Sequence, residues 1–265
     1  MGYWIGKRVL VTGACRGLGW VITKQLLERG ARVIIHSNAT PLPEDDLVLK
    51  ALEDGRALHL RADLCSSSDI HRLITGAVDG FGGIDGVIHN AGISAYGSFL
   101  ETSETTFQQV MDTNLNGIVV LTKAALPSLI ENQGSIFFIS SLAALHGVPN
   151  YLSYSISKAA LVPLQEGLEL ELKSYGVQVG LIYLGFVEND DIKYSLNATG
   201  HKIPIPRRNI RTKISKDRAA FKVLRAIEKN QRKAYGDFSG RIMMFLKGMF
   251  PLALRVLLSK NQNKT

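Results

Sequence analysis

Thr12-Gly13-Ala14-Cys15-Arg16-Gly17-Leu18-Gly19 follows the apolar run Val9-Leu10-Val11 and precedes a segment in which Leu18, Val21, Ile22, Leu26 and Leu27 recur at helical spacing. A strand, a glycine turn and a helix in that order can bind phosphate. The glycines let backbone N–H groups approach a pyrophosphate beside the positive end of the helix. The spacing is Gly-x3-Gly-x-Gly rather than Gly-x-Gly-x2-Gly. A purely structural turn would use the same residues, so its position after the first strand is what gives the motif weight.

Working outward, apolar runs predict strands at 7–12, 32–36, 57–61, 84–89, 134–140, 177–184 and 232–235. Helical periodicity falls at 17–29, 67–81, 104–130, 152–174 and 215–229, with Ser67-Ser68-Asp69 as an N-cap region. This alternation predicts an α/β fold: a doubly wound parallel sheet of Rossmann type, with ligands at the carboxyl ends of the strands. Residues 1–237 read as one nucleotide-binding and catalytic domain, with a substrate loop at about 186–214. Residues 238–265 read as a basic, apolar, helical C-terminal extension.

The 265 residues contain no long linker or internal repeat. Cys15 and Cys65 are too few for a disulfide framework and lack metal-site spacing, so no metal is expected and a reducing cytoplasm suits the chain. The N-terminus runs at once into Lys7-Arg8, without a signal-peptide pattern. Net charge is unevenly spread. Residues 1–200 carry 14 Lys and Arg against 20 Asp and Glu, whereas residues 201–265 carry 17 against 3. The basic region therefore meets something anionic or forms a solvated face.

The TGxxxGxG pattern of Thr12–Gly19, with later motifs in matching order over residues 5–235, resembles the short-chain dehydrogenase/reductase family. By that resemblance Asp63 and Leu64 contact adenine, and Asn90-Ala91-Gly92 corresponds to the family's NNAG with His89 in place of the first Asn. Gly13, Cys15, Arg16, Gly17, Leu18 and Gly19 form the cofactor loop. The second strand ends His36-Ser37-Asn38, without the carboxylate that would repel a 2′-phosphate. Arg16 offers that phosphate a cation, and Ser37 lies beside it in the chain's pattern, so NADP(H) is expected over NAD(H).

Tyr154 and Lys158, four residues apart, share one helical face. A free tyrosine ionises near pH ~10, and a nearby ammonium together with an oxidised nicotinamide would lower that value. Ser141, thirteen residues before Tyr154, matches the family's serine-to-tyrosine spacing, with Ser140 as the competitor. Asn114 corresponds to the family's fourth catalytic residue. Tyr154 and Lys158 also belong to the cofactor contacts that the resemblance implies.

After the sixth strand the family's Pro-Gly and Thr are replaced: Leu184 precedes Gly185 and Val187, and Asn189 takes the threonine position before Asp190-Asp191. Ile93, Tyr96, Leu142, Leu145, Tyr151 and Phe186 are pocket-lining by position, although each would equally suit a core. Phe238–Leu258 mixes apolar residues with Arg241, Lys247 and Arg255, which suits a membrane interface, a subunit contact or packing on the body. The resulting expectation is an oxidoreductase interconverting a carbonyl and an alcohol on a small molecule, as a homodimer or homotetramer. The alternatives are a catalytically silent nucleotide-binding protein and a membrane-peripheral protein working through its tail. No nucleic-acid-reading motif is present.

Overall fold

Arg8–Val11 ends in Thr12-Gly13, and that short β-branched run forms the first strand of the sheet. In the computed structural model, which describes residues 2–188, 193–205 and 213–249, the elements follow in this order. They are β1 (Arg8–Val11), α1 (Gly17–Glu28), β2 (Arg32–Ser37), α2 (Asp46–Glu53), β3 (Ala57–Arg61), α3 (Ser67–Phe81), β4 (Gly86–His89) and β5 (Ala95–Tyr96). Then come α4 (Glu104–Met111), α5 (Gly117–Glu131), β6 (Ser135–Ser141), α6 (Leu152–Leu172) and β7 (Gln178–Leu184). The last are β8 (Lys193–Asn197), β9 (Lys202–Ile205), α7 (Lys216–Glu228), β10 (Lys233–Tyr235) and α8 (Phe238–Met249).

Seven strands form one parallel sheet in the order β3-β2-β1-β4-β6-β7-β10. The expected doubly wound architecture is therefore present. Alternate residues of each strand feed opposite layers. Val9, Val11 and Ile35 pack with Ile22, Leu26, Val223 and Leu224 of α1 and α7. Leu10 and Ile34 pack with Ile70, Leu73, Leu121, Phe138 and Leu161. Burying both faces explains why these strands read as continuous apolar runs. Strand order reverses between β1 and β4, which opens a crevice at their carboxyl ends.

Besides helix α2 at Asp46–Glu53, which the periodicity does not signal, three features depart from the expected pattern. The cap of α3 is Ser66, whose hydroxyl accepts from Asp69 N–H, one residue ahead of the expected region. The helix expected over 104–130 is broken by a π-helical turn at Asp112–Asn116. The third lies in the substrate loop. Residues 193–205 form a hairpin, β8 antiparallel to β9, and β8 pairs in parallel with β5. Asn197 Oδ1 closes that hairpin by accepting from the N–H groups of Thr199 (3.1 Å) and His201 (2.9 Å).

α8 turns Met243 and Met244 onto the body, while Phe238, Ile242, Phe245 and Met249 stay exposed. Residues 250–265 of the extension lie outside the described residues. Among the described residues no helix is long and apolar enough to cross a membrane.

Candidate active site

The crevice is built from the loops after β1 and β4, which are stitched together. Thr12 Oγ accepts from the N–H groups of Asn90 and Ala91, each at 3.0 Å. Asn90 Nδ2 donates to the carbonyls of Thr12 (2.9 Å) and Gly13 (3.2 Å). Gly13 and Gly17 have φ of +64° and +57°, in the left-handed region that a side chain strains. A Cβ on Gly19 would collide with the Gly13 carbonyl and the Asn90 amide. α1 then starts with no side-chain cap and no acid in its first turn, whereas Asp45, Ser66, Ser103 and Ser215 cap α2, α3, α4 and α7. A glycine cradle leading into an uncapped helix fits the pyrophosphate of a dinucleotide.

At the end of β2 no charge faces the crevice. His36 is buried, with Nδ1 accepting from Gly13 N–H (3.2 Å) and Nε2 facing the Ala62 carbonyl (3.1 Å); burial pushes its pKa down. Ser37 also turns inward, donating to the Thr40 carbonyl at 2.9 Å and lying 3.0 Å from His59 Nε2. Cys15 Sγ is 3.6 Å from the same ring nitrogen, and burial pushes the thiol up. Arg16 stays exposed at the start of α1. Asp63 bends back on its own loop, with Oδ1 accepting from Cys65 N–H at 2.9 Å, and Leu64 is buried.

β6 and α6 bring the candidate catalytic side chains together. Ser140 and Ser141 face opposite ways, as strand geometry requires. Ser140 Oγ donates to the Lys158 carbonyl at 3.0 Å. Ser141 Oγ accepts from Ala143 N–H at 3.2 Å and acts on the Tyr154 phenol to lower its pKa. Lys158 is buried, and Nζ donates to the Ile139 carbonyl at 2.9 Å while lying 6.0 Å from the Tyr154 ring centroid.

The π turn carries Asn114 into the same cluster. Asn114 Oδ1 accepts from Ile93 N–H (2.8 Å), and Nδ2 donates to the Ile93 carbonyl (2.8 Å) and to Ser157 Oγ (3.0 Å). A Cβ on Gly92 would stand 3.2 Å from Asn114 Oδ1 and 3.4 Å from Lys158 Nζ, so all three groups converge behind the β4 loop. The Tyr154 phenol titrates above its ordinary value. Burial raises it, and the Ser141 hydrogen bond pulls only partly the other way. Desolvation acts directly on the phenolate.

Other expected residues fall around this centre. Tyr96 and Tyr151 sit with ring centroids 5.2 Å apart, and Phe186 is exposed. Leu142 is partly buried against the core, and Leu145 is sunk within it rather than open to the crevice. Leu184 ends β7 inside the core, and a Cβ on Gly185 would stand 3.0 Å from the Asp237 carboxylate. Val187 bridges to Ile214. Asn189 lies outside the described residues.

Sequence reasoning missed Thr12, whose hydroxyl holds the two loops together, and Ser157, which holds Asn114; neither type stands out in a strand end or a helix. His89 was noticed only as a departure. It is fully buried, stacked on Phe138 at 5.0 Å, with Nε2 2.9 Å from Thr122 Oγ and Nδ1 without a partner among the described residues. Burial, aided by the Lys158 charge, pushes its pKa down to about 3.

Comparison with known proteins agrees with this geometry. The model of the family described as short chain dehydrogenase matches residues 7–199. The 3-oxoacyl-[acyl-carrier-protein] reductase FabG of Vibrio cholerae is 33% identical over 190 residues, covering 71% of this chain and 76% of its own. A short-chain dehydrogenase of Burkholderia cenocepacia, solved in complex with NADP, superposes with a TM-score of 0.80 at 26% identity, covering 96% of this chain and 98% of its own. The NADH-dependent reductase A1-R′, solved with NAD, superposes with a TM-score of 0.65 at 26% identity, covering 70% and 80%. The chain belongs to the short-chain dehydrogenase/reductase family. It is, with that family, a carbonyl/alcohol oxidoreductase.

Proposed function

We propose that the protein is an NADP(H)-dependent enzyme that interconverts a carbonyl and a secondary alcohol on an apolar or mixed small molecule, with Tyr154 as the acid and base. The observation that carries this reading is the convergence of Gly92, Asn114 and buried Lys158 behind the β4 loop, with Lys158 Nζ 6.0 Å from the Tyr154 ring centroid. The cofactor supplies or accepts the hydride. In reduction, Tyr154 gives its proton to the substrate oxygen, and its raised pKa keeps that proton in place at neutral pH. Ser141 donates a hydrogen bond to the same oxygen and stabilises the charge that develops on it. Lys158 holds the cofactor ribose, and Asn114 fixes the floor of the site through Ile93 and Ser157.

Cofactor choice rests on exposed Arg16 and on a β2 end whose polar side chains, His36 and Ser37, are turned inward. The Burkholderia relative's bound NADP agrees, while the NAD-bound reductase makes the choice worth measuring. The remaining cofactor contacts are assigned to Gly13, Cys15, Gly17, Leu18, Gly19, Asp63, Leu64, Asn90, Ala91, Gly92, Gly185 and Val187. Two free cysteines suit a cytoplasmic protein, and the family relationship suits a homodimer or homotetramer.

The test is titration with NADPH and with NADH by nicotinamide fluorescence, followed by a screen of carbonyl compounds against Tyr154→Phe. Preferential NADPH binding that Arg16→Glu abolishes, with turnover absent in Tyr154→Phe, supports the reading. Binding of neither dinucleotide overturns it in favour of a catalytically silent fold.

A further inference from the structure

The β8–β9 hairpin closes a cavity of about 350 Å³ over the crevice, lined on one side by Arg16, Ile93 and Ser94 and on the other by Tyr194, Ser195 and Lys202. Two cations and no carboxylate stand among its lining residues. We infer that Lys202 is a phosphate-binding residue that reaches from the hairpin toward the dinucleotide, so that its diphosphate lies between Lys202 and the glycine turn that opens α1, with Arg16 beside it for the 2′-phosphate. The inference rests on the dinucleotide-dependent reading above and adds a contact from a segment that carries no glycine-loop motif.

The position of Lys202 is fixed by the fold, because the hairpin is seated. Leu196 N–H donates to the Ser94 carbonyl at 2.8 Å, as does Ser195 Oγ, and Ser94 Oγ lies 2.9 Å from Ser195 Oγ. Leu196 is buried with Ala95, Val110 and Ile93 in a small cluster of its own. Register then places Lys202 opposite Leu196 across the hairpin.

The chain's other wall is the start of α1. Arg16 occupies the N-cap position without capping, which leaves the helix end and the guanidinium available to an anion. A cavity of this volume holds only part of a dinucleotide. Opposed cations in a partly enclosed site bind phosphate oxygens more strongly than either would in open water.

The experiment measures dissociation constants of NADPH and NADH for the full chain and for Lys202→Gln, Lys202→Glu and Lys202→Arg. Lys229→Gln, at the opposite edge of the sheet, controls for net charge. Lys202 is exposed, so its loss leaves the core intact; circular dichroism melts check this. The expected result is about 10-fold weaker binding of both dinucleotides in Lys202→Gln, more in Lys202→Glu, and near-normal binding in Lys202→Arg and Lys229→Gln. A loss confined to NADPH overturns the diphosphate contact, because both dinucleotides carry that group. Unchanged binding in Lys202→Glu, with the parent chain binding normally, overturns this inference alone. If the parent chain binds neither dinucleotide, the functional reading falls and takes the inference with it.

Discussion

Ser140 and Ser141 adjoin on β6 and do different work: the Ser140 hydroxyl is buried against the Lys158 carbonyl at 3.0 Å, and the Ser141 hydroxyl accepts from Ala143 N–H at 3.2 Å and lowers the pKa of the Tyr154 phenol. One serine ties a strand to a helix, and the other faces the reacting oxygen in the proposed mechanism. Ser140→Ala should lower stability by about 1 kcal/mol while leaving most turnover. Ser141→Ala should leave stability within ~1 kcal/mol and lower kcat by at least about 10²-fold. Urea melts and steady-state rates on both variants separate the two roles, and equal effects on rate would contradict the division.

Because the Ser141 hydrogen bond lowers the Tyr154 pKa against the effect of burial, removing it should raise that pKa further. The raised phenol stays protonated through neutral pH, so reduction keeps its acid until the solution is strongly alkaline. In the oxidative direction the required base form appears later. Residual alcohol oxidation by Ser141→Ala should therefore have its pH limb displaced upward. A limb that stays in place would remove Ser141 from control of the tyrosine.

His89 makes the fold sensitive to acid. Its folded pKa, about 3, lies below the ordinary histidine value of 6.5, so the unfolded chain binds this proton first. The associated stability is present above pH ~6.5 and is lost as pH falls toward 3, at about 1.4 kcal/mol per pH unit within that window. His89→Asn should flatten this part of the acid denaturation curve. An unaltered slope between pH 6 and 4 would show that other groups dominate.

Gly19→Ala should reach the site through the backbone. Its Cβ would meet the Gly13 carbonyl and the Asn90 amide, so the loops must part to admit it. We expect a loss of about 2 kcal/mol or more in stability and the failure of dinucleotide binding. Gly55→Ala serves as a control: its left-handed φ of +67° brings backbone strain, but no atom lies within 4 Å of the added carbon. Retained binding in Gly19→Ala would mean that the glycine loop is not the phosphate cradle.

The parallel sheet was readable because strands buried on both faces become continuous apolar runs, as in Val9-Leu10-Val11 and Ile136-Phe137-Phe138-Ile139. Tyr154 and Lys158 share a helical face by their spacing, whereas Ser141 was assigned only through the thirteen-residue offset that the family resemblance implies. The π turn at Asp112–Asn116 was not, since it uses residues that a regular helix would also accept. Nor was the hairpin: Lys193–Asn197 and Lys202–Ile205 are short and mixed, with Pro204 in the second, and their pairing depends on β5, about a hundred residues earlier. The inward turn of Ser37 was equally hidden, because it depends on His59 from the neighbouring strand.

The stitch between Thr12 and Asn90 spans 78 residues, and the bond from Asn114 to Ser157 spans 43. Neither contact is available to a chain still short of its later partner, so the site matures late in synthesis, after the first helix and turn can already form. Long-range closures of this kind slow folding relative to locally wired proteins. A chain released before α6 would carry the complete glycine loop while Asn114 lacked Ser157 and Lys158 was missing. Such a fragment would resemble a nucleotide-binding protein in sequence but have no assembled chemistry, and its exposed β6 edge would make it a candidate for chaperone capture.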